Sequence, residues 1–105
     1  MTVEQRLDQL EKLKRRLGLA NLVGAILKDV NLTGANLKHE NLEGANLVGA
    51  KLRNANLEDA YLKDANLKNA NLMDANLKNA NLENAIDVPL LSAKQEEDAC
   101  WSDCG

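Results

Sequence analysis

Apolar and polar positions along this chain follow a five-residue period. Leu recurs without a gap at Leu22, Leu27, Leu32, Leu37, Leu42, Leu47, Leu52, Leu57, Leu62, Leu67, Leu72, Leu77 and Leu82, thirteen consecutive units. Two positions before each Leu stands Ala in eleven units, the exceptions being Val30 and Glu40. One position before it stands Asn in ten, the exceptions being Ile26, Lys51 and Tyr61. The two positions after it are mostly charged, Gly or Asn, so the unit reads Ala-Asn-Leu-x-x. Such a period suits neither regular structure as a straight element. On an α-helix five residues advance ~140° net, and the leucines would spiral around every side. On a straight strand an odd period sends successive leucines to opposite faces. Within one unit, however, Ala and Leu are two apart and share a face of extended chain, with Asn pointing away. A corner over the next two residues brings the following Ala and Leu inward again. Gly24, Gly34, Gly44 and Gly49, with Asn and Asp elsewhere, suit such corners.

The position after each Leu indicates how many sides a coil has, because stacked coils lie ~4.8 Å apart and make residues one coil apart into neighbours. With four sides, Lys38–Glu58, Glu58–Lys78, Glu43–Lys63 and Lys63–Glu83 all pair opposite charges. With three sides, Lys38–Arg53, Glu43–Glu58, Arg53–Lys68 and Lys63–Lys78 clash; five sides give four clashes and one opposite pair. Like charges directly opposed destabilise stacked strands, so the four-sided coil is preferred.

These units resemble the pentapeptide-repeat family from about Ala20 to Ala85. The resemblance implies a β-solenoid: a right-handed quadrilateral β-helix of roughly three coils, with the central Leu and the preceding small residue stacked inside. It departs from the family in having Leu alone at the centre and no Phe. Glu40 stands in an inward position, and local distortion is expected there because burying an unpaired carboxylate is costly. Outward Asn columns such as Asn36/Asn56/Asn76 offer stacked amide hydrogen bonds.

A solenoid needs capped ends. The chain divides into an N-terminal amphipathic capping helix (1–18), the repeat (19–86) and a C-terminal cap and tail (87–105). Val3, Leu7, Leu10, Leu13 and Leu17 follow a helical stripe, Thr2 and Gln5 have capping-box spacing, and Gly18 is placed to stop the helix. The basic residues Lys12, Lys14, Arg15 and Arg16 suit the helix C-terminus, although they could instead touch an anionic membrane surface. After Ala85 the repeat ends, with Asp87 at the next Leu position. Ser92-x-x-Gln95 predicts a second, short helix near 93–100, with Leu90, Leu91 and Trp101 over the last coil. The alternative for these apolar groups is an end-to-end homodimer contact rather than a monomer's cap.

Composition narrows the chemistry. Leu, Ala and Asn make up 48 of 105 residues, Phe is absent, and Tyr61 and Trp101 are the only aromatics. Net charge is −3, which excludes a strongly basic nucleic-acid binder. No apolar run approaches ~18 residues, so no membrane span is expected. No secretory signal is visible, which points to the cytoplasm. Cys100 and Cys104 form C-x3-C and could make a small disulfide loop or remain free or intermolecular thiols; an oxidised pair would favour a periplasm or thylakoid lumen. With His39 the only His, neither a metal site nor a cofactor is expected. His39 and Glu40 are read as corner residues rather than an acid–base pair, since no nucleophile accompanies them. Tyr61 and Trp101 are candidate partner contacts, while Val23, Val48 and Met73 are scattered outward apolar residues.

The functional expectation is a non-catalytic protein-interaction or scaffold module. Members of the family that mimic DNA and bind gyrase suggest the alternative, an inhibitor or protector of a type II topoisomerase. Here, though, the repeat carries seven basic and eight acidic side chains, unlike a long acidic rod. A solid Leu/Ala interior leaves no cleft for an enzyme. The irregular tail argues for a natural rather than a designed repeat, and the family is abundant in cyanobacteria.

Overall fold

The computed structural model describes residues 22–104, and the helix expected over Thr2–Leu17 lies outside them. Every unit from Leu22 to Leu82 turns the same way. The Leu carbonyl accepts from the N–H three residues on, from Ala25.N→Leu22.O at 3.0 Å to Ala85.N→Leu82.O at 3.0 Å. The second residue after each Leu has positive φ, between 57° and 69°. That combination is a type II turn, which needs a residue tolerant of the left-handed region. The thirteen occupants are only Gly, Asn, Asp and His39. These are the residue types for which that region costs least.

Corners at five-residue intervals close a coil every twenty residues. Parallel bridges join Ile26 to Asn46, Asn31 to Lys51, Asn36 to Asn56 and Asn41 to Tyr61, and continue at the same spacing to Asn66 and Ile86. Three hydrogen bonds per unit hold neighbouring coils, as in Leu47.N→Asn66.O (2.8 Å), Gly49.N→Lys68.O (2.8 Å) and Asn46.N→Ala25.O (2.9 Å). The solenoid therefore has four sides. Side A is built on Leu22, Leu42, Leu62 and Leu82; side B on Leu27, Leu47 and Leu67; side C on Leu32, Leu52 and Leu72; side D on Leu37, Leu57 and Leu77.

The interior is a column of leucine rungs with alanines between them. Leu42, Leu47, Leu52, Leu57, Leu62 and Leu67 are completely buried, whereas Leu27, near one end of the stack, is only partly so. Outside, the Asn side chains brace the corners. The Asn Oδ1 accepts from the backbone N–H two residues on in its own coil, as in Thr33.N→Asn31.Oδ1 (3.0 Å) and Met73.N→Asn71.Oδ1 (2.9 Å). This Asx contact braces the corner, for which Asn has the right side-chain length.

Two expectations need correction. Glu40 does not distort its coil: Glu40.N→Leu37.O is 3.1 Å and Tyr61.N→Glu40.O is 2.9 Å, both in register. The residue is only half-buried. A long aliphatic stem lets a carboxylate stay near solvent while the backbone holds its place. Beyond Ala85 the chain continues the stack rather than simply lying over it. α1 (Ala93–Asp98) takes the place of the next corner after side C and the next rung of side D, and the chain then rejoins the ladder through Asn79.N→Asp98.O (2.9 Å), Cys100.N→Ala80.O (2.8 Å) and Leu82.N→Cys100.O (2.8 Å). The helix stops two residues short of the expected Cys100 because Cys100 is committed to that pairing.

Candidate functional site

α1 is fixed by one side chain. Ser92 Oγ accepts from the Gln95 N–H (3.1 Å), and Gln95 Oε1 accepts from the Ser92 N–H (2.9 Å). The same Gln95 donates through Nε2 to the carbonyls of Leu72 (2.7 Å) and Ala75 (3.1 Å). The buried amide thus gives a donor to the Ala75 carbonyl, which no further coil reaches, and a second one to the Leu72 carbonyl, which already accepts from the Ala75 N–H at 3.0 Å. Leu91 is buried beside it, but Leu90 is 99% exposed, contrary to the expectation that both cover the last coil. The chain direction explains the difference: consecutive residues on an extended approach to a helix point to opposite sides.

Between α1, the segment before it and the last coil of side C lies an open groove of about 880 Å³. Leu72, Met73, Leu90, Lys94, Gln95 and Asp98 line it. Met73 is 56% exposed, and Lys94 pairs with Asp98 at 3.2 Å along the helix. Ser92 and Asp74 also stand along it; the Ser92 hydroxyl is engaged as the helix cap, accepting from the Gln95 N–H, and the buried Gln95 amide is already bonded.

The residues singled out in the sequence are scattered. Tyr61 is half-buried at the middle of side A, bridged to Asn41 and Asn81. Trp101 is 42% exposed, and its Nε1 donates to the Glu96 carbonyl at 2.9 Å. Cys100 and Cys104 are joined by a disulfide with a Cα–Cα separation of 5.8 Å, beyond the end of α1. His39 and Glu40 do not form a pair with each other; His39 Nδ1 lies 3.5 Å from Asp59 Oδ2, one coil away. Of the charge pairs expected from the four-sided register, Lys38–Glu58 closes to 3.8 Å.

One arrangement escaped the sequence reading. Wrapping the chain at twenty residues gathers Lys28, Lys51, Arg53 and Lys68 on side C and its flanking corners, where Asp29 and Asp74 are the only carboxylates of the repeat. The pattern is legible only when charges are read across neighbouring columns as well as along the column after Leu.

The pentapeptide repeats family model matches in eight copies over residues 16–54, 25–64 and 50–86. The chain belongs to the pentapeptide repeat family. Among solved structures, it is similar to a pentapeptide repeat protein from the cyanobacterium Cyanothece 51142, with 34% identity and a TM-score of 0.52, covering 73% of this chain and 44% of that one. It is also similar to a pentapeptide repeat protein from the Arabidopsis thaliana thylakoid lumen, with 29% identity and a TM-score of 0.50, covering 77% of this chain and 54% of that one. This pentapeptide repeat chain thus spans about half the length of the solved relatives it matches. No curated protein matches it. Among the described residues, no helix is long and apolar enough to cross a membrane.

Proposed function

We propose that this pentapeptide repeat protein is a non-catalytic interaction module, a rigid frame whose outward residues are free to vary while the inside is fixed. The observation that carries this reading is the interior itself. From Leu42 to Leu67 the inward side chains are all Leu and Ala, buried to 1% exposure or less, so neither a cleft nor a polar group lies among them. Catalysis needs polar groups converging on a water-excluding site; the groove beside α1 is open, its Gln95 and Ser92 are engaged in the helix cap, and Lys94 and Asp98 pair with each other. The gyrase-mimic alternative asks for an acidic face, and the cations of side C speak against it.

In the finer reading, the solenoid is a right-handed quadrilateral β-helix, in keeping with the handedness of parallel crossovers. Residues 87–105 close one end of the stack, leaving a monomer. The Cys100–Cys104 disulfide favours an oxidising compartment over the cytoplasm. The thylakoid-lumen origin of one structural relative points the same way.

Affinity capture from native lysate tests the function, with charge reversals made on one side at a time and Tyr61→Ala as a further variant. Loss of one bound protein when one side is altered supports the module. Absence of any specific partner for every side defeats it.

A further inference from the structure

We propose that side C is a docking surface for a short acidic peptide segment of a partner protein. Its carboxylates would lie over Lys28, Lys51, Arg53 and Lys68, and an apolar residue would enter the groove between Met73 and Leu90. This rests on the reading of the chain as an interaction module and names the side and the chemistry it uses.

Lys51 and Arg53 flank the inward Leu52 on one coil, two residues apart, which sets their α-carbons roughly 7 Å from each other. Lys28 and Lys68 share the column on the preceding corner, two coils apart, about 10 Å, with Val48 between them. The spacing of carboxylates along an extended peptide, ~6.6 Å for alternate residues, matches this lattice. None of the four cations has an ion-pair partner among the described residues, whereas Lys38 on side D is paired with Glu58. Asp29, the carboxylate nearest them, lies against Gly49, filling the space a Cβ there would need.

The distribution is uneven around the molecule. The outward columns after Leu on side A carry Glu43, Glu83 and Asp64 against Lys63, and the tail carries Asp87, Glu96, Glu97, Asp98 and Asp103 against Lys94. A net charge of −3 therefore conceals one basic side, with the acidic residues concentrated on the opposite side A and in the tail. In the column of Arg53, the next coil presents Met73, 56% exposed, and the groove runs from there to Leu90, 99% exposed. Cations and apolar slot are continuous on the same side. That combination fits an acidic segment carrying an apolar anchor.

Size and boundary select a peptide over nucleic acid. Duplex binders commonly neutralise ~6–10 phosphates along a continuous track. Four cations spanning three coils fall short of that, and a longer polyanion would run into Asp74, Glu97 and Asp98.

The test is fluorescence anisotropy on the full chain with three probes: a short labelled peptide carrying a Glu run followed by Leu-Leu, the same peptide with Lys for Glu, and a short DNA duplex. The Glu–Leu peptide should bind and should weaken as salt rises. Lys51→Glu/Arg53→Glu should weaken binding about tenfold or more, with Lys51→Gln/Arg53→Gln intermediate. Lys38→Glu/Lys78→Glu on side D should leave it unchanged, and Met73→Ser should weaken it at high salt as well as low. Circular dichroism and the melting midpoint establish that each variant is folded. No binding of the Glu–Leu peptide, equal weakening by the side C and side D reversals, or equal affinity for the duplex overturns the proposal. If captured partners are lost on reversing another side but not side C, this proposal fails while the module reading stands; if no side captures a partner, that reading fails as well.

Discussion

Leu62→Ala is the sharpest perturbation of the interior. Leu62 is completely buried on side A, stacked between Leu42 and Leu82, which are themselves exposed by no more than 2%. Truncation removes three carbons and leaves a void whose walls are rungs of the coils on either side. Ladder bonds hold those walls apart: Leu42.N→Tyr61.O at 2.7 Å on one side and Leu62.N→Asn81.O at 2.8 Å on the other. The coils cannot close into the gap without breaking these bonds. The cost should therefore lie in the upper part of the ~2–5 kcal/mol range for buried Leu→Ala changes. Leu27→Ala serves as the comparison, because Leu27 is only partly buried near one end of the stack. Its loss should cost about 1–2 kcal/mol. Urea denaturation followed by far-UV circular dichroism measures both, with the slope of the transition checking that the unfolding unit is unchanged. If Leu62→Ala costs no more than Leu27→Ala, the leucines do not form a closely packed column held by the ladder.

Corner chemistry, the tail and the disulfide give further tests. Gly34→Asn should change stability by less than ~0.5 kcal/mol, since Asn occupies the same left-handed position at Asn54 with φ near 60° and the space around Gly34 is open. Gly49→Ala should cost slightly more than Gly34→Ala, by less than ~1 kcal/mol, because the exposed Asp29 side chain must turn out of the space its methyl needs; Asp29→Ala in the same chain should remove that difference in thermal denaturation. Gln95→Ala should cost ~2–3 kcal/mol by leaving the Leu72 and Ala75 carbonyls without its amide and α1 without its box, and hydrogen exchange should then rise first over residues 91–99. Reducing Cys100–Cys104 should lower stability by no more than ~2 kcal/mol, because so short a loop gives little entropy; the denaturation midpoint with and without reductant reads this directly.

The frame of the molecule is legible because each unit states its own geometry. Ala and Leu, two apart, name the inward face, and Gly, Asn or Asp two residues after Leu mark the corner. The column of Lys38, Glu58 and Lys78 indicated four sides before any bridge was seen. The distortion expected at Glu40 does not occur because the turn and ladder bonds of its backbone hold register whatever the inward side chain is. The Asn contact to the N–H two residues on is a local one, set by the type II corner that each unit already encodes. The tail resisted reading for another reason: its last rung depends on contacts between Asp98 or Cys100 and residues some twenty positions earlier, and no repeat announces them. The basic side required the charges to be read across columns as well as along them.

The four-sided parallel stack underlies all of this, and nuclear Overhauser contacts between backbone protons test it most directly. The account predicts a continuous series linking residues twenty apart, from Ile26–Asn46 through Asn46–Asn66 to Asn66–Ile86, with Asn81 meeting Cys100 at nineteen. A series at fifteen or twenty-five residues, or one of helical neighbours three and four apart within 22–86, would contradict it.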